Sequence, residues 1–253
     1  MKKAFTLIEL LVVISIIALL LAVMMPALGK VKANAKKVIC ATNIRQNGQA
    51  FALYAADNDG KLYVGPGGPM SSFYSWGGVT MDWDYGYLPG SWNKDTNPYE
   101  RALNKYLPED NPVYICPSDP KGDSKLFAPF GTDREPRHNG QAYYTTTGTS
   151  YQYNAFLTSV SKYTKMSQVR RASNTPLVFE WPVYDVVRDA LRPANWTDKP
   201  RWSFHDNSGR GTEPRDVDEN GNNTCFVDGH TEYITYVKGK EATAEYDLYD
   251  GIR

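Results

Sequence analysis

Residues Phe5 to Met25 read FTLIELLVVISIIALLLAVMM, and eighteen of these 21 are apolar. A run of this kind leaves a chain few ways to fold. As a helix rising 1.5 Å per residue it is about 31 Å long, enough to cross a hydrocarbon core of about 30 Å. Glu9 is its one charged residue. Lys2 and Lys3 precede it, and Lys30, Lys32, Lys36 and Lys37 follow, so flanking charge alone does not orient the span. A secretory signal peptide also has a basic start and an apolar middle, but this run is long and no clear small-x-small cleavage site follows it. An ordinary anchor must accommodate a carboxylate near its head, at about 2.5–3.5 kcal/mol if the group lies near the bilayer centre.

The rest of the chain has a different character. Lys plus Arg is 28 and Asp plus Glu is 28, for a formal net charge of zero. That balance excludes a nucleic-acid binder working by charge alone, because neutralising phosphates needs a basic excess. The 18 Tyr and 6 Trp argue against disorder, since disordered chains are poor in aromatics. There is no G-x-S-x-G, H-E-x-x-H or P-loop motif, so an enzyme is not expected.

The segment MKKA-FTLIELLVVISIIALL resembles the class III signal of type IV pilins and pseudopilins. The resemblance implies cleavage by a prepilin peptidase between Ala4 and Phe5, retention of the apolar helix, and methylation of the new Phe5 amine. Glu9 then falls where the family pattern has its Glu, and Pro26 where many members have a helix-kinking proline. Ala4 stands where the family usually has Gly. The physics suits the pattern. A carboxylate embedded in lipid is costly unless paired, and the amine of one subunit meeting Glu9 of its neighbour would set an axial register.

Beyond Pro26 the helical pattern continues. Leu28, Val31, Ala35, Val38, Ile39, Thr42, Ile44, Ala50, Phe51 and Tyr54 recur mostly at three- and four-residue steps, and a basic or amide face lies between them. Pro26 removes a backbone hydrogen bond, so a bend is expected there. Asp57-Asn58-Asp59-Gly60 is a strong stop signal. The expected helix runs from Phe5 to Ala56. Cys40, Asn43, Ile44, Arg45, Gln46, Tyr54, Asp57, Asn58, Asp59 and Gly60 resemble the helix end of a pilin-like family of environmental bacteria. YICPSDP (Tyr114–Pro120), YQYN (Tyr151–Asn154) and NTPLVFE (Asn174–Glu180) are similar to its later segments. That family closes on a His followed by Asp-Gly. Here 22 residues lie between His205 and Asp228-Gly229, with Arg210–Asn222 reading as an insertion.

After Lys61 short apolar runs alternate with Gly, Pro, Asn and Asp clusters. Strand candidates are Tyr143–Thr147, Ser150–Phe156, Pro176–Trp181, Asn223–Val227 and Thr231–Val237. Helical turns are expected at Ala102–Tyr106 and Lys165–Val169. The fold class is α+β, a long helix followed by an antiparallel sheet. The organisation is a leader over 1–4, a transmembrane stretch over 5–25, an amphipathic stretch of the same helix over 26–56, and a β-rich head over 57–253.

Candidate sites in the head are few. Asp216, Asp218 and Asn220 place oxygen ligands at alternate positions before Gly221, the start of an EF-hand loop, with Asp228 near its far end. Some pseudopilins hold calcium in their heads, so the resemblance adds to this reading; the alternative is a solvated acidic loop. His205, Asp228 and His230 suit either metal ligation or acid–base chemistry, against a plain Asp228-Gly229 hairpin turn. Cys40, Cys116 and Cys225 allow one disulfide, for instance Cys116 with Cys225 if their strands are neighbours, or three buried thiols. The function implied by the resemblance is a structural subunit of a type II secretion or type IV pilus-like filament, in the bacterial inner membrane with its head outside. Its partners would be the peptidase, other pilin-like subunits and the platform machinery. Two alternatives from other classes are a carbohydrate-binding module using Trp76, Trp83, Tyr85 and Trp92, and an anchored hydrolase using the His and Asp residues.

Overall fold

A computed structural model describes residues 7–65, 76–78, 101–108, 110–119, 144, 148–180 and 219–237. Its dominant element is α1, a 51-residue helix from Leu7 to Asp57, about 75 Å long at 1.5 Å per residue. The helix continues unbroken on both sides of Pro26. Ser15, the one hydroxyl in the apolar stretch of α1, donates to the Val12 carbonyl at 2.8 Å. That satisfies it inside the helix, as an apolar surrounding requires.

The stop signal after Ala56 works as read. Asp59 and Gly60 both take positive φ, 56° and 75°. The Gly60 N–H then reaches back to the Ala55 carbonyl at 2.7 Å, a left-handed cap of the kind glycine favours. Asp57 accepts from Lys105 Nζ and Tyr106 OH, each at 2.8 Å, which ties the helix end to the 3-10 turn Ala102–Lys105. These donors hold the Asp57 carboxyl below the usual carboxylate range.

The sheet has four strands in sequential order: β1 (Tyr151–Tyr153), β2 (Pro176–Glu180), β3 (Glu219–Phe226) and β4 (Thr231–Val237). All neighbours are antiparallel. A short helix α2 (Phe156–Ser159) follows β1. A bulge between Pro176 and Val178 shifts the β2–β3 register. The α+β expectation holds, and four of the five strand candidates overlap observed strands. The fifth, Tyr143–Thr147, falls largely outside the described residues.

The C-terminal half of α1 packs on one face of this sheet, chiefly on β3, with β2 and β4 beside it. Its buried residues are Cys40, Ile44, Asn47, Gly48, Ala50, Phe51 and Ala55, spaced for one helix face. Phe51 stacks on Tyr153 with ring centroids 4.6 Å apart and touches Trp76 at 5.2 Å. Trp76 in turn meets Tyr114 at 5.8 Å. Trp76 is fully buried, so it belongs to the core and offers no ring to a glycan. That corrects the carbohydrate reading at this residue; Trp83, Tyr85 and Trp92 lie outside the described residues.

Where α1 crosses β3 the approach is close. A Cβ at Gly48 would overlap Cys225 Sγ. Gly48→Ala is therefore expected to destabilise the head by about 1–3 kcal/mol through overpacking. The loss should shrink in a Cys225→Ala background, and equal losses in thermal melts of both backgrounds would refute the contact.

Candidate functional site

Two structures meet on α1: an uncovered apolar arm and a clamp to the head. From Leu7 to Ala35 every residue of the helix is exposed. Leu7 is 86%, Leu19 68% and Met25 67% exposed. Leu28, Val31, Val38 and Ile39, expected to share the head-facing stripe, are exposed as well. The stripe that does bury begins at Cys40. Among the described residues α1 is the one helix long and apolar enough to cross a membrane, and none of its apolar window is covered by the chain's own fold. A surface this large and apolar is stable only in lipid or against other helices. Glu9 sits on its first turn, exposed. Ala4 and Phe5 lie outside the described residues, so the processing site and any contact of the Phe5 amine with Glu9 are expectations.

The clamp is built from two of the segments that carried the second resemblance, the helix end and YICPSDP. Cys40 is disulfide-bonded to Cys116, with Cα atoms 5.4 Å apart. One helical turn on, Asn43 Nδ2 donates to the Ile115 carbonyl at 3.0 Å and lies 3.4 Å from that of Pro112. Asn47 Nδ2 donates to the Val113 carbonyl and to Asn43 O, both at 3.0 Å. Residues three, four and seven apart share a helix face, so Cys40, Asn43 and Asn47 form one polar and covalent seam along the 3-10 turn Pro112–Tyr114. Asn47, which the sequence pattern sets on the basic or amide face between the apolar positions, is fully buried on the head-facing side of the helix, where its amide is hydrogen-bonded. Asp119 anchors the other side of this segment. Its Oδ2 accepts from Ser150 Oγ at 2.6 Å and from Tyr144 N at 2.9 Å, while Cys116 N donates to Ser150 Oγ at 3.0 Å.

This pairing corrects the Cys116–Cys225 expectation. Cys225 lies on β3 under α1, a buried free thiol, while Cys116 is drawn to the helix instead. Burial pushes the Cys225 thiol up from 9.0 to about 11. A raised pKa stabilises the fold fully below pH 9.0 and loses that contribution as pH rises through about 11. Alkaline melts should show stability falling in that window, and Cys225→Ala should remove that component. Near neutral pH a maleimide should label no thiol of the native chain and one after denaturation without reductant.

Glu180, fully buried, lies beside the disulfide. Its Oε2 accepts from Asn223 N at 2.9 Å and its Oε1 from Asn223 Nδ2 at 3.2 Å; the same amide lies 3.3 Å from the Lys37 carbonyl on α1. The ligand atoms of Cys40, Cys116 and Glu180 lie within 4.8 Å of one another. With the sulfurs bonded together, neither supplies the thiolate that a metal would need, so the group acts as the helix–sheet joint.

The calcium reading fails at the two residues that can be placed. Asn220 and Gly221 lie within β3, paired with Tyr236 and Thr235, so this glycine does not turn a loop. The Tyr233 ring lies across Gly221, where a Cβ would collide with it. Asp228 is in the β3–β4 turn, roughly 20 Å along the strand from Asn220 at 3.3 Å per residue, and the two cannot share one cation. Asp216 and Asp218 lie outside the described residues.

The Asp228-Gly229 pair forms the hairpin turn, with Gly229 at φ 90°. Asp228 Oδ1 is 2.6 Å from His230 Nδ1 and accepts from His230 N at 3.1 Å. The His230 ring stacks on Phe226 at 4.2 Å. Asp228 thus holds the strand re-entry in shape. His205 lies outside the described residues, as does its spatial relation to Asp228.

Residues 1–25 match the prokaryotic N-terminal methylation motif. No curated protein and no solved structure matches the chain.

Proposed function

We propose, from the methylation motif at residues 1–25 and the α+β pilin-like architecture behind it, that this chain is a structural subunit of a type II secretion or type IV pilus-like filament. The motif implies processing by prepilin peptidase. On this reading the cut falls between Ala4 and Phe5, the Phe5 amine is methylated, and the chain sits in the bacterial inner membrane with its head outside. Subunits then assemble through the apolar half of α1, with Glu9 pairing across neighbours.

One observation supports this above the rest. The half of α1 that bears the motif is exposed throughout its described residues, while the other half is fastened to the head by a disulfide and three amide side chains. A helix serving only the core of its own domain would bury its apolar residues. A helix serving as a shared rod projects them.

Cysteines introduced one at a time at Leu11 and Ile16 test the assembly. Oxidised in membranes that contain the platform machinery, each variant should give disulfide-linked dimers, since one added thiol joins two chains. The native cysteines are buried and should not contribute. Monomer alone at both positions would count against a filament.

A further inference from the structure

Between Leu10 and Ala56 the chain holds five basic residues and no acidic one. Four of the five, Lys30, Lys32, Lys36 and Lys37, fall within eight residues just past the apolar run. At about 100° per residue, Lys30 and Lys37 share one side of the helix, and Lys32 and Lys36 lie roughly opposite. The charge therefore lies on two opposite sides of the rod. Lys30 and Lys32 are exposed and Lys36 is half-buried. Lys37 is partly engaged with the head, 4.7 Å over the Tyr233 ring.

We infer that Lys30, Lys32 and Lys36 form a collar that binds the phosphate groups of anionic phospholipids in the leaflet facing the head. The inference rests on the membrane-inserted reading above. Lys30 lies about 7.5 Å beyond Met25 along the helix, at the depth of the headgroup layer, which is about 5–8 Å thick on each side. Lys36 lies about 9 Å further on and reaches back with a long flexible side chain. Cations on opposite sides of the helix fit a surrounding of phosphates better than a partner docked on one face. A second copy's helix is a poor occupant, because identical collars at one height repel and its segment from Leu10 to Ala56 offers no carboxylate. The rival anion is a neighbour's head, since residues 58–253 hold 21 basic and 26 acidic residues.

The test uses the full chain in vesicles of phosphatidylcholine with phosphatidylglycerol, with a fluorophore on Ala33→Cys. Quenching by brominated phosphatidylglycerol is compared with quenching by brominated phosphatidylcholine. The expected result is a preference for the anionic lipid that weakens with salt and falls roughly fivefold for each lysine removed, in Lys30→Gln and in Lys30→Gln/Lys32→Gln. Lys30→Arg/Lys32→Arg should keep it. Equal quenching by both lipids, or a preference unchanged in the double variant, overturns the inference. So does salt-sensitive chain–chain association in pure phosphatidylcholine without lipid preference, which would give the collar to a neighbour's head. Processing is scored separately. A chain that prefers the anionic lipid but is not trimmed by prepilin peptidase sinks the filament reading and leaves the collar standing. A chain that does not insert sinks both.

Discussion

Glu9→Gln should leave the chain in the membrane and reduce its assembly into multimers by at least a hundredfold. Glu9 is the only charge between Phe5 and Met25. A neutral amide is easier to place in lipid than a carboxylate, so insertion has no reason to fall. Assembly does. On the proposed reading, each trimmed subunit brings a Phe5 ammonium into a low-dielectric bundle. Removing the carboxylate that faces it leaves a buried charge uncompensated, which costs about 3–5 kcal/mol for a broken buried pair. At 1.4 kcal/mol per factor of ten, that is two to three orders of magnitude in subunit association. Cross-linking yield in membranes measures it. Normal multimers from the glutamine variant would show that Glu9 is not part of a pair, and the register argument would go with it.

The second large effect concerns the clamp. Cys40 and Cys116 are 76 residues apart in sequence. Cross-linking a loop of that length removes about 4.5 kcal/mol of unfolded-chain entropy on the loop-closure model. For a head of this size each kcal/mol moves the melting temperature by about 2–4 °C, so Cys40→Ala/Cys116→Ala should melt about 9–18 °C lower than the oxidised parent. The Asn43 and Asn47 hydrogen bonds remain in the variant, so the loss should appear as reduced stability without a new fold. Reductant should lower the parent to the level of the variant and leave the variant unmoved. Identical melts with and without reductant would mean that the bond does not hold the head to the helix.

The two effects act at opposite ends of one helix. On the proposed reading Glu9 bears on contacts between chains, and Cys40 on the bond between the rod and its own head. Cys40 lies near the point where α1 first meets the head, and the Lys37 carbonyl lies within reach of Asn223 just before it. Any pull on the apolar arm reaches the head at this point. The disulfide, the Asn43 and Asn47 amides and the Glu180–Asn223 pair spread that load over the 112–116 segment, β2 and β3.

What was legible in the sequence follows from how local each signal is. The helix end at Asp57-Asn58-Asp59-Gly60 depends on left-handed backbone within four residues, and the structure closes it there. Thr231–Val237 is rich in β-branched and aromatic residues and follows an Asp-Gly turn, as a strand should, and β4 has those same ends. The cysteine pairing depends on which segment α1 meets across 76 intervening residues, and no spacing rule encodes that. Asn220 and Gly221 look like half of a cation loop because oxygen-bearing residues alternate before a glycine. Pairing with Tyr236 and Thr235 overrides that pattern, and the Tyr233 ring accounts for the glycine. Leu28, Val31, Val38 and Ile39 have helical periodicity and are exposed, and periodicity alone does not say which part of a long helix has a partner. Trp76 reads as a partner of Trp83, Tyr85 and Trp92 by nearness in sequence, while its neighbours in space are Phe51 and Tyr114.

The account stands on the fate of the first residues, and intact-mass analysis of the protein isolated from cells that make prepilin peptidase reads it directly. The expected polypeptide begins at Phe5, carries one added methyl group on its amine, and retains the whole of the apolar run. A polypeptide that starts beyond Met25, or one that still carries Met1, would contradict it.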